Sequence, residues 1–338
     1  MVSIDEVARL AGVSTATVSR ALSGRGTVSE KTRRRVQEAT EALGYVVSSR
    51  ASSLASGRTR NVGVVVPFLD RWFFSTVLSG VSSALMRRGY DITLYNITAD
   101  AAVRREVFAD FLRRQRVDGV IAVSIELDEA ETGQLLQLGL PVIAIGGPNP
   151  RLDTLTVDDH AVAQLATEHL LALGHRDIAH IGASPEFDMD FHIPTQRRAG
   201  FEKVLADAGI APNPLYLEPA DFTVEGGYRA AKQLLGRPGP RPTAIFAASD
   251  EMAIGAILAA RDLGYRVPDD LSVIGIDGHE LGDFFQLTTV DQFPLGQGER
   301  AAEALLARLD DAAATQLDHA HLPFELVVRG TTARPALP

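Results

Sequence analysis

From Asn61 onward, short apolar runs alternate with helical stretches in two successive series, and this restricts the fold more than any other feature of the chain. The first series sets "VGVVVP", "DITLYN", "GVIAVS" and "PVIAIGG" among "FSTVLSGVSSALMRRG" and "RREVFADFLRRQ". The second sets "DIAHIG", "LYLEP", "AIFAAS" and "SVIGID" among "RRAGFEKVLADAG", "VEGGYRAAKQLLG" and "EMAIGAILAARDLG". Strands that are apolar along their whole length and alternate with helices belong to parallel sheets covered on both faces. Two such series predict two doubly wound lobes with a cleft between them. Ligands in these folds sit at the carboxyl ends of the strands. That rule selects Phe68 to Phe74, Ser184 to Arg197, Asp221 and Phe222, Ser249 and Asp250, and Asp277.

The first 60 residues read differently. They hold ten Lys and Arg against five acids, a net +5, so the remaining chain carries −15 of the total −10. A small basic head on an acidic body is the distribution expected when only the head touches phosphates. Ser3 and Glu6 form a capping box that opens a helix running to about Leu10, with Ile4, Val7, Ala8 and Leu10 as its buried stripe. Gly12 allows a tight turn. Ser14 caps a second helix that buries Val18, Ala21 and Leu22, and a third runs from Ser29 to Gly44 on Val36, Ala39 and Leu43. This is the pattern of a helix-turn-helix.

The second helix leaves Thr15, Ala16, Ser19 and Arg20 facing outward, a face of small side chains with one cation. Such a helix can sink into a DNA major groove. Arg20 can fork onto a guanine edge, Ala16 and the Thr15 methyl can meet a thymine methyl, and the backbone amides at Ser14 suit a phosphate.

Several function classes are excluded. The chain has no cysteine, which removes disulfides, thiolate catalysis and Cys-ligated zinc. No apolar run approaches the roughly 18 residues of a membrane helix, and the first residues lack a signal-peptide pattern, so a cytoplasmic protein is expected. The strands are not followed by Gly-x-Gly-x-x-Gly, a Walker loop or a Gly-x-Ser-x-Gly elbow, and His-Glu-x-x-His is missing. Neither Asp318, His319 and His321 nor His279 with Glu280 has the spacing of a metal site. No enzyme, cofactor or metal is expected. A periplasmic binding protein would share the two-lobed body, but it would have no use for the head.

The head "IDEVARLAGVSTATVSRALSG", followed by "VSEKTRRRVQEATEALGYV" and "SSRASSLASGRTRNVGVVVP", resembles the lactose-repressor (LacI/GalR) family of bacterial transcription regulators. The resemblance continues through "QRRAGF", "PTAIFAASDEMAIGAI", "GYRVPDDLSVIGIDG", "LTTVDQ" and "ELVVRGTT". It implies an all-α helix-turn-helix head joined by a hinge helix to an α/β, two-lobed, periplasmic-binding-protein-like effector domain with two doubly wound parallel sheets. The implied domains are residues 1–46, a hinge and linker over 47–60, a first lobe of 61–160 plus 291–318, and a second of 161–290 plus 319–334. Three crossovers join the lobes, near residues 160, 290 and 320.

By the same resemblance, Thr15, Ala16 and Arg20 fall at base-reading positions, with Ser19 on the same face, and Ser14 and Thr17 fall where phosphates are held. Leu54 matches a leucine wedged into the central base step, where an apolar side chain bends the duplex. In the cleft, Arg197 matches a ligand-binding arginine, Asp277 an aspartate that accepts from ligand hydroxyl or amine groups, Phe222 an aromatic over the ligand, and Phe73 or Phe74 a first-lobe aromatic. An Arg and an Asp in an aromatic cleft can orient a polyhydroxyl ring, which favours a sugar or oligosaccharide effector. A nucleobase or other non-sugar corepressor is the alternative. Two departures weigh against a sugar: Gly146 and Gly147 stand where relatives carry a polar side chain, and Ser249 stands where sugar binders often have Asn. Either the cleft is roomier there, which suits an oligosaccharide, or Trp72, Asp188, Asp190 or His192 replace those contacts. "FDMDFH" reads equally as a solvated loop, and Trp72 as hinge-side core or stacking platform. One recognition helix covers only a half-site, so a homodimer on a near-palindromic operator is expected, and the stretch after "ELVVRGTT" has no leucine heptads to build a tetramer.

Overall fold

Residues 2–23, 27–45, 58–97, 101–114, 116–183, 192–211, 213–311 and 320–336 are described by the computed structural model of the chain. The chain divides into two units, Met1–Arg60 and Asn61–Pro338. Leu54, Asp188 and Asp190 lie outside the described residues.

In the first unit, α1 (Ile4–Ala11), α2 (Thr15–Ser23) and α3 (Glu30–Leu43) follow their caps. The Ser3 and Glu6 capping box is closed in both directions, and Gly12 ends α1 at φ 60°. Ser29 caps α3, and Gly44 ends it at φ 60°. Val7, Ala8, Ala11, Val18, Ala21, Val36 and Ala39 form the core. Leu10 does not join them as expected and is 57% exposed. At 100° per residue Ile4, Val7, Ala8 and Ala11 share one face, and Leu10 lies well off its centre. From α3, Arg35 donates to the carbonyls of Ala11 and Gly12. These are unsatisfied groups at the C-terminus of α1, so the cation fixes the turn that leads into α2.

In the second unit, the first series contributes β1 (Asn61–Val66), α4 (Trp72–Arg87), β2 (Asp91–Asn96), α5 (Ala101–Glu106), β3 (Gly119–Val123), α6 (Glu129–Gln137), β4 (Val142–Gly146) and β5 (Asp153–Thr156). The second contributes α7 (Asp159–Ala172), β6 (Ile178–Ala183), α8 (Ile193–Asp207), β7 (Leu217–Ala220), α9 (Val224–Gly236), β8 (Ala244–Ala247), α10 (Asp250–Asp262), β9 (Ser272–Asp277), α11 (Gly282–Phe285) and β10 (Thr288–Asp291). The chain then returns through α12 (Pro294–Asp310), β11 (Ala320–His321) and β12 (Glu325–Val327).

The first sheet runs β11-β5-β4-β3-β1-β2 and the second β12-β10-β9-β8-β6-β7. Every pairing is parallel except β12 with β10. Both sheets carry apolar clusters on both faces, as their uninterrupted apolar strands require. The chain passes between sheets after β5, after β10 and after β11. Ala320–His321 pairs with β5, so the first sheet takes a strand from beyond residue 318, where the sequence reading ends that lobe.

Facing glycines set the helix packing. Gly80 on α4 lies against the carbonyl of Leu295 on α12, and Gly298 on α12 against that of Val77 on α4. The second lobe repeats the device, with Gly227 on α9 against Met252 and Gly255 on α10 against Val224. A Cβ at any of the four would overlap backbone, so these crossings require glycine.

Candidate functional site

The outward face of α2 carries the residues read as DNA contacts. Ser14, Ala16, Ser19 and Arg20 are exposed, and Thr15 and Thr17 half-buried. Buried Val18 and Ala21 turn the opposite face inward. The Ser14 hydroxyl accepts from the Thr17 backbone N–H at 3.2 Å and lies 2.9 Å from the Thr17 hydroxyl, which fixes the start of the helix. Arg20 folds back along α2, its Nε donating to the Ala16 carbonyl at 3.1 Å.

In the second unit the carboxyl ends of both sheets line one cleft. From the first lobe come Phe68, Arg71, Phe73 and Phe74 after β1, Ser124 after β3, and Gly146 at the end of β4. The second lobe adds Arg197 from α8, Asp221 and Phe222 after β7, Ser249 after β8, and Asp277 at the end of β9. A concave cleft lined by aromatic side chains with a few convergent polar groups is the form a small-molecule site takes.

Its polar groups are largely committed to one another. Buried Arg197 donates from Nε to Asp159 at 2.7 Å, from Nη1 to the Ala248 carbonyl at 2.5 Å, and from Nη2 to Gln292 at 3.5 Å. The Ser249 hydroxyl caps α10, accepting from the Met252 backbone N–H at 3.3 Å. Asp277 takes the Gln292 side-chain amide at 2.8 Å on one oxygen. Asp277 also holds a φ of 129°, a left-handed conformation uncommon outside glycine and most frequent where function requires it.

Burial dominates the acids. It raises the Asp277 carboxyl well above the ordinary carboxylate range; Arg197 opposes the shift, while Asp250 and Glu251 add to it. Burial likewise raises Asp159, even though Arg197 sits in direct contact and pulls the other way. Asp250 is pushed up to about 6 by burial, against bonds from the His279 and Gly278 backbone and the Thr289 hydroxyl.

The aromatic wall is built mainly from one segment. Phe73 and Phe74 meet edge-on at 5.5 Å, and Phe68 lies 5.7 Å from Phe74. Phe222, with a φ of 57°, stands on the second lobe. Trp72 is half-buried and stacks on His279, with ring centroids 4.3 Å apart and 25° between planes, and it is not part of the cleft lining. His192 is exposed at the N-cap of α8 and is not part of the cleft lining.

Thus Phe73, Phe74, Arg197, Phe222, Ser249 and Asp277 come together, and Asp159, Gln292, Gln297 and Glu251 join them without having been singled out for the cleft. Asp159 and Gln292 flank two of the crossovers, and their roles depend on partners 38 and 95 residues from them along the chain. Among the described residues no group of three or more His, Asp or Glu could hold a metal ion, and no helix is long and apolar enough to cross a membrane.

Comparison with known proteins gives the same two units. The family described as "Bacterial regulatory proteins, lacI family" matches residues 3–48, and a "Periplasmic binding protein-like domain" matches residues 167–332. The HTH-type transcriptional repressor PurR of Aliivibrio fischeri (strain MJ11) is 35% identical over 336 residues, 96% of each chain. The repressor of the same name from Vibrio campbellii (strain ATCC BAA-1116) is 33% identical over 99% of each. Among solved structures, a Lac repressor dimer bound to operator and the anti-inducer ONPF superposes with a TM-score of 0.84 at 28% identity, covering 98% of this chain and 99% of that one. A complex of the transcriptional regulator CelR with cellobiose gives 0.70 at 30% identity, covering 98% and 100%.

Proposed function

Because this chain belongs to the LacI family of bacterial regulatory proteins, we propose that it is a cytoplasmic repressor that reads a near-palindromic operator as a homodimer and is switched by a small molecule held in the cleft. Its relatives are regulators and not enzymes. The exposed face of α2 supports major-groove reading, and two copies are needed because one helix covers a half-site. By the family resemblance the dimer interface is expected from Phe74 to Arg87 of the first lobe and Glu251 to Leu263 of the second, where Met86 and Leu263 are exposed apolar side chains. Leu54 and most of the hinge, 47–60, keep the roles their resemblance implies.

For the effector, a flat nitrogen heterocycle of nucleobase type fits better than the sugar first expected. A polyhydroxyl ring needs several uncommitted polar groups, whereas here Arg197, Ser249, Gln292 and Gln297 are engaged with the protein itself. The lining between them is apolar, with Phe68, Phe73, Phe74, Ile193 and Phe222. Among the described residues it also carries four carboxyls, Asp159, Asp221, Glu251 and Asp277, against two guanidiniums, Arg71 and Arg197. That balance disfavours phosphorylated ligands. The observation that carries the reading is Asp277: a buried carboxyl in the cleft that Phe222 also lines, able to donate when protonated and accept when ionised, and so to match the N–H and C=O edge of a heterocycle.

The test is calorimetric titration of the full chain with adenine, guanine and uracil in one arm and ribose and cellobiose in the other, repeated on Asp277→Asn. Binding of a base that the variant loses supports the reading; binding of cellobiose alone overturns it. Operator affinity with and without the bound molecule then gives the sign of the switch, and equal affinities would remove the switch altogether. A tenfold effect requires about 1.4 kcal/mol of coupling.

A further inference from the structure

Helix α4 begins at Trp72, and Arg71 at its N-cap makes no side-chain capping bond. The exposed N–H groups of a helix start call for an acceptor, and a carboxylate suits them best. Here the acceptor comes from the opposite lobe. Glu251, on α10, lines the cleft together with Arg71; burial raises its carboxyl, while the Arg71 guanidinium and the Trp72 backbone N–H pull the other way. Trp72 thus meets the second lobe through its indole, stacked on the His279 ring, with the Glu251 carboxyl acting electrostatically on the helix start.

His279 is held in place from behind. Its backbone N–H donates to Asp250 at 2.8 Å, and its Nδ1 accepts from the Leu281 backbone N–H at 3.0 Å, which leaves the ring proton on Nε2. Asp250 in turn takes the Thr289 hydroxyl at 2.7 Å. Two residues before His279 stands Asp277, in the cleft. Asp277 and Gly278 both have positive φ, 129° and 78°, and a side chain on Gly278 would strike Asp291. A segment this constrained transmits a displacement at one end to the other.

We propose that Asp277–Gly278–His279 is the coupling element of this protein, and that His279 and Glu251 are positioning residues that clasp the start of α4 to the second lobe when the cleft is closed. A ligand that engages Asp277 shifts the turn, and the stack on Trp72 carries that shift into the first lobe. The inference rests on the switched-repressor reading above, but not on the chemical class of the effector.

Trp72 is the single tryptophan of the chain, so its intrinsic emission reports the clasp directly. The experiment compares ligand-free full-length protein with His279→Leu and with Glu251→Leu, which removes the acceptor oxygens at similar size and serves should the first variant fold poorly. The expected result is a changed Trp72 emission in both variants together with a change of about fivefold or more in operator affinity. Unchanged emission overturns the proposal. Changed emission with unaltered operator affinity also overturns it, since the stack is then packing alone. If no operator is bound by any form, the switched-repressor reading fails instead. Amide exchange at Trp72 to Phe74 then decides the clasp: faster exchange in Glu251→Leu, which has no acceptor oxygen, supports it, and equal exchange overturns it.

Discussion

Arg20 and His180 show how differently single residues bear on what this chain does. Arg20 is the one cation on the outward face of α2, so Arg20→Ala should relax preference at one base position in each half-site and cost about 1–3 kcal/mol per contact. Selection from a random duplex library reads this out, and undiminished selectivity at every position would show that another helix reads the bases. His180 lies buried between Phe201 and Phe246, with centroids at 5.1 and 4.8 Å, and its Nδ1 donates to the Phe246 carbonyl at 3.1 Å. Burial lowers its pKa to about 4 from an ordinary 6.5. The unfolded chain therefore binds a proton that the folded one refuses; the stability contribution is present above about 6.5 and lost as pH falls towards 4. Chemical denaturation at pH 7, 5.5 and 4.5 should show this loss, and His180→Gln should flatten it. The strand-end rule made Arg197, Phe222 and Asp277 legible from sequence, because each follows or approaches a visible apolar run. Asp159 and Trp72 were not legible, since the partner that gives each its meaning, Arg197 or His279, is brought to it only by tertiary folding.

Helix crossings were less legible than helices. Caps such as Ser3, Ser29 and Gly44 are local signals and mark where elements start and stop. Gly80, Gly227, Gly255 and Gly298 sit inside helices, where sequence alone reads them as costs; their purpose appears only once a second helix lies across them. The two lobes meet this need in the same way, α4 against α12 and α9 against α10. Gly255→Ala places a methyl on the Val224 carbonyl and must push α9 outward. Overpacking of this kind costs about 1–3 kcal/mol and lowers Tm, by less per kcal/mol than in a smaller domain. A melt of Gly255→Ala checks this. A gain in stability, as expected for an unhindered glycine in a helix, would mean that the crossing is looser than described.

At the scale of the molecule, the split between a +5 head and a −15 remainder predicts how binding responds to salt. Each phosphate neutralised by Lys or Arg contributes about −0.9 to the slope of log K against log salt, so operator affinity should fall steeply from low to physiological salt. Replacing exposed Lys31 by Gln should make the slope shallower by about one if that side chain meets a phosphate, and should leave it unchanged otherwise. Two lobes were legible from the doubled series of strands, and the return of the chain through crossovers near 160, 290 and 320 from the resemblance; strand β11 within that return was not, because it is only two residues long and carries no periodic signal. That return has a consequence for how the protein is made. The first sheet has five of its strands by Thr156, yet α12, which packs on it, begins only at Pro294, about 140 residues later. At roughly 5–20 residues per second, a ribosome holds the first lobe uncovered for about 7–28 seconds while the whole second lobe emerges. The head, which has a core of its own and is complete by Gly44, emerges long before then, so a nascent chain can present a recognition helix well before it has a finished cleft.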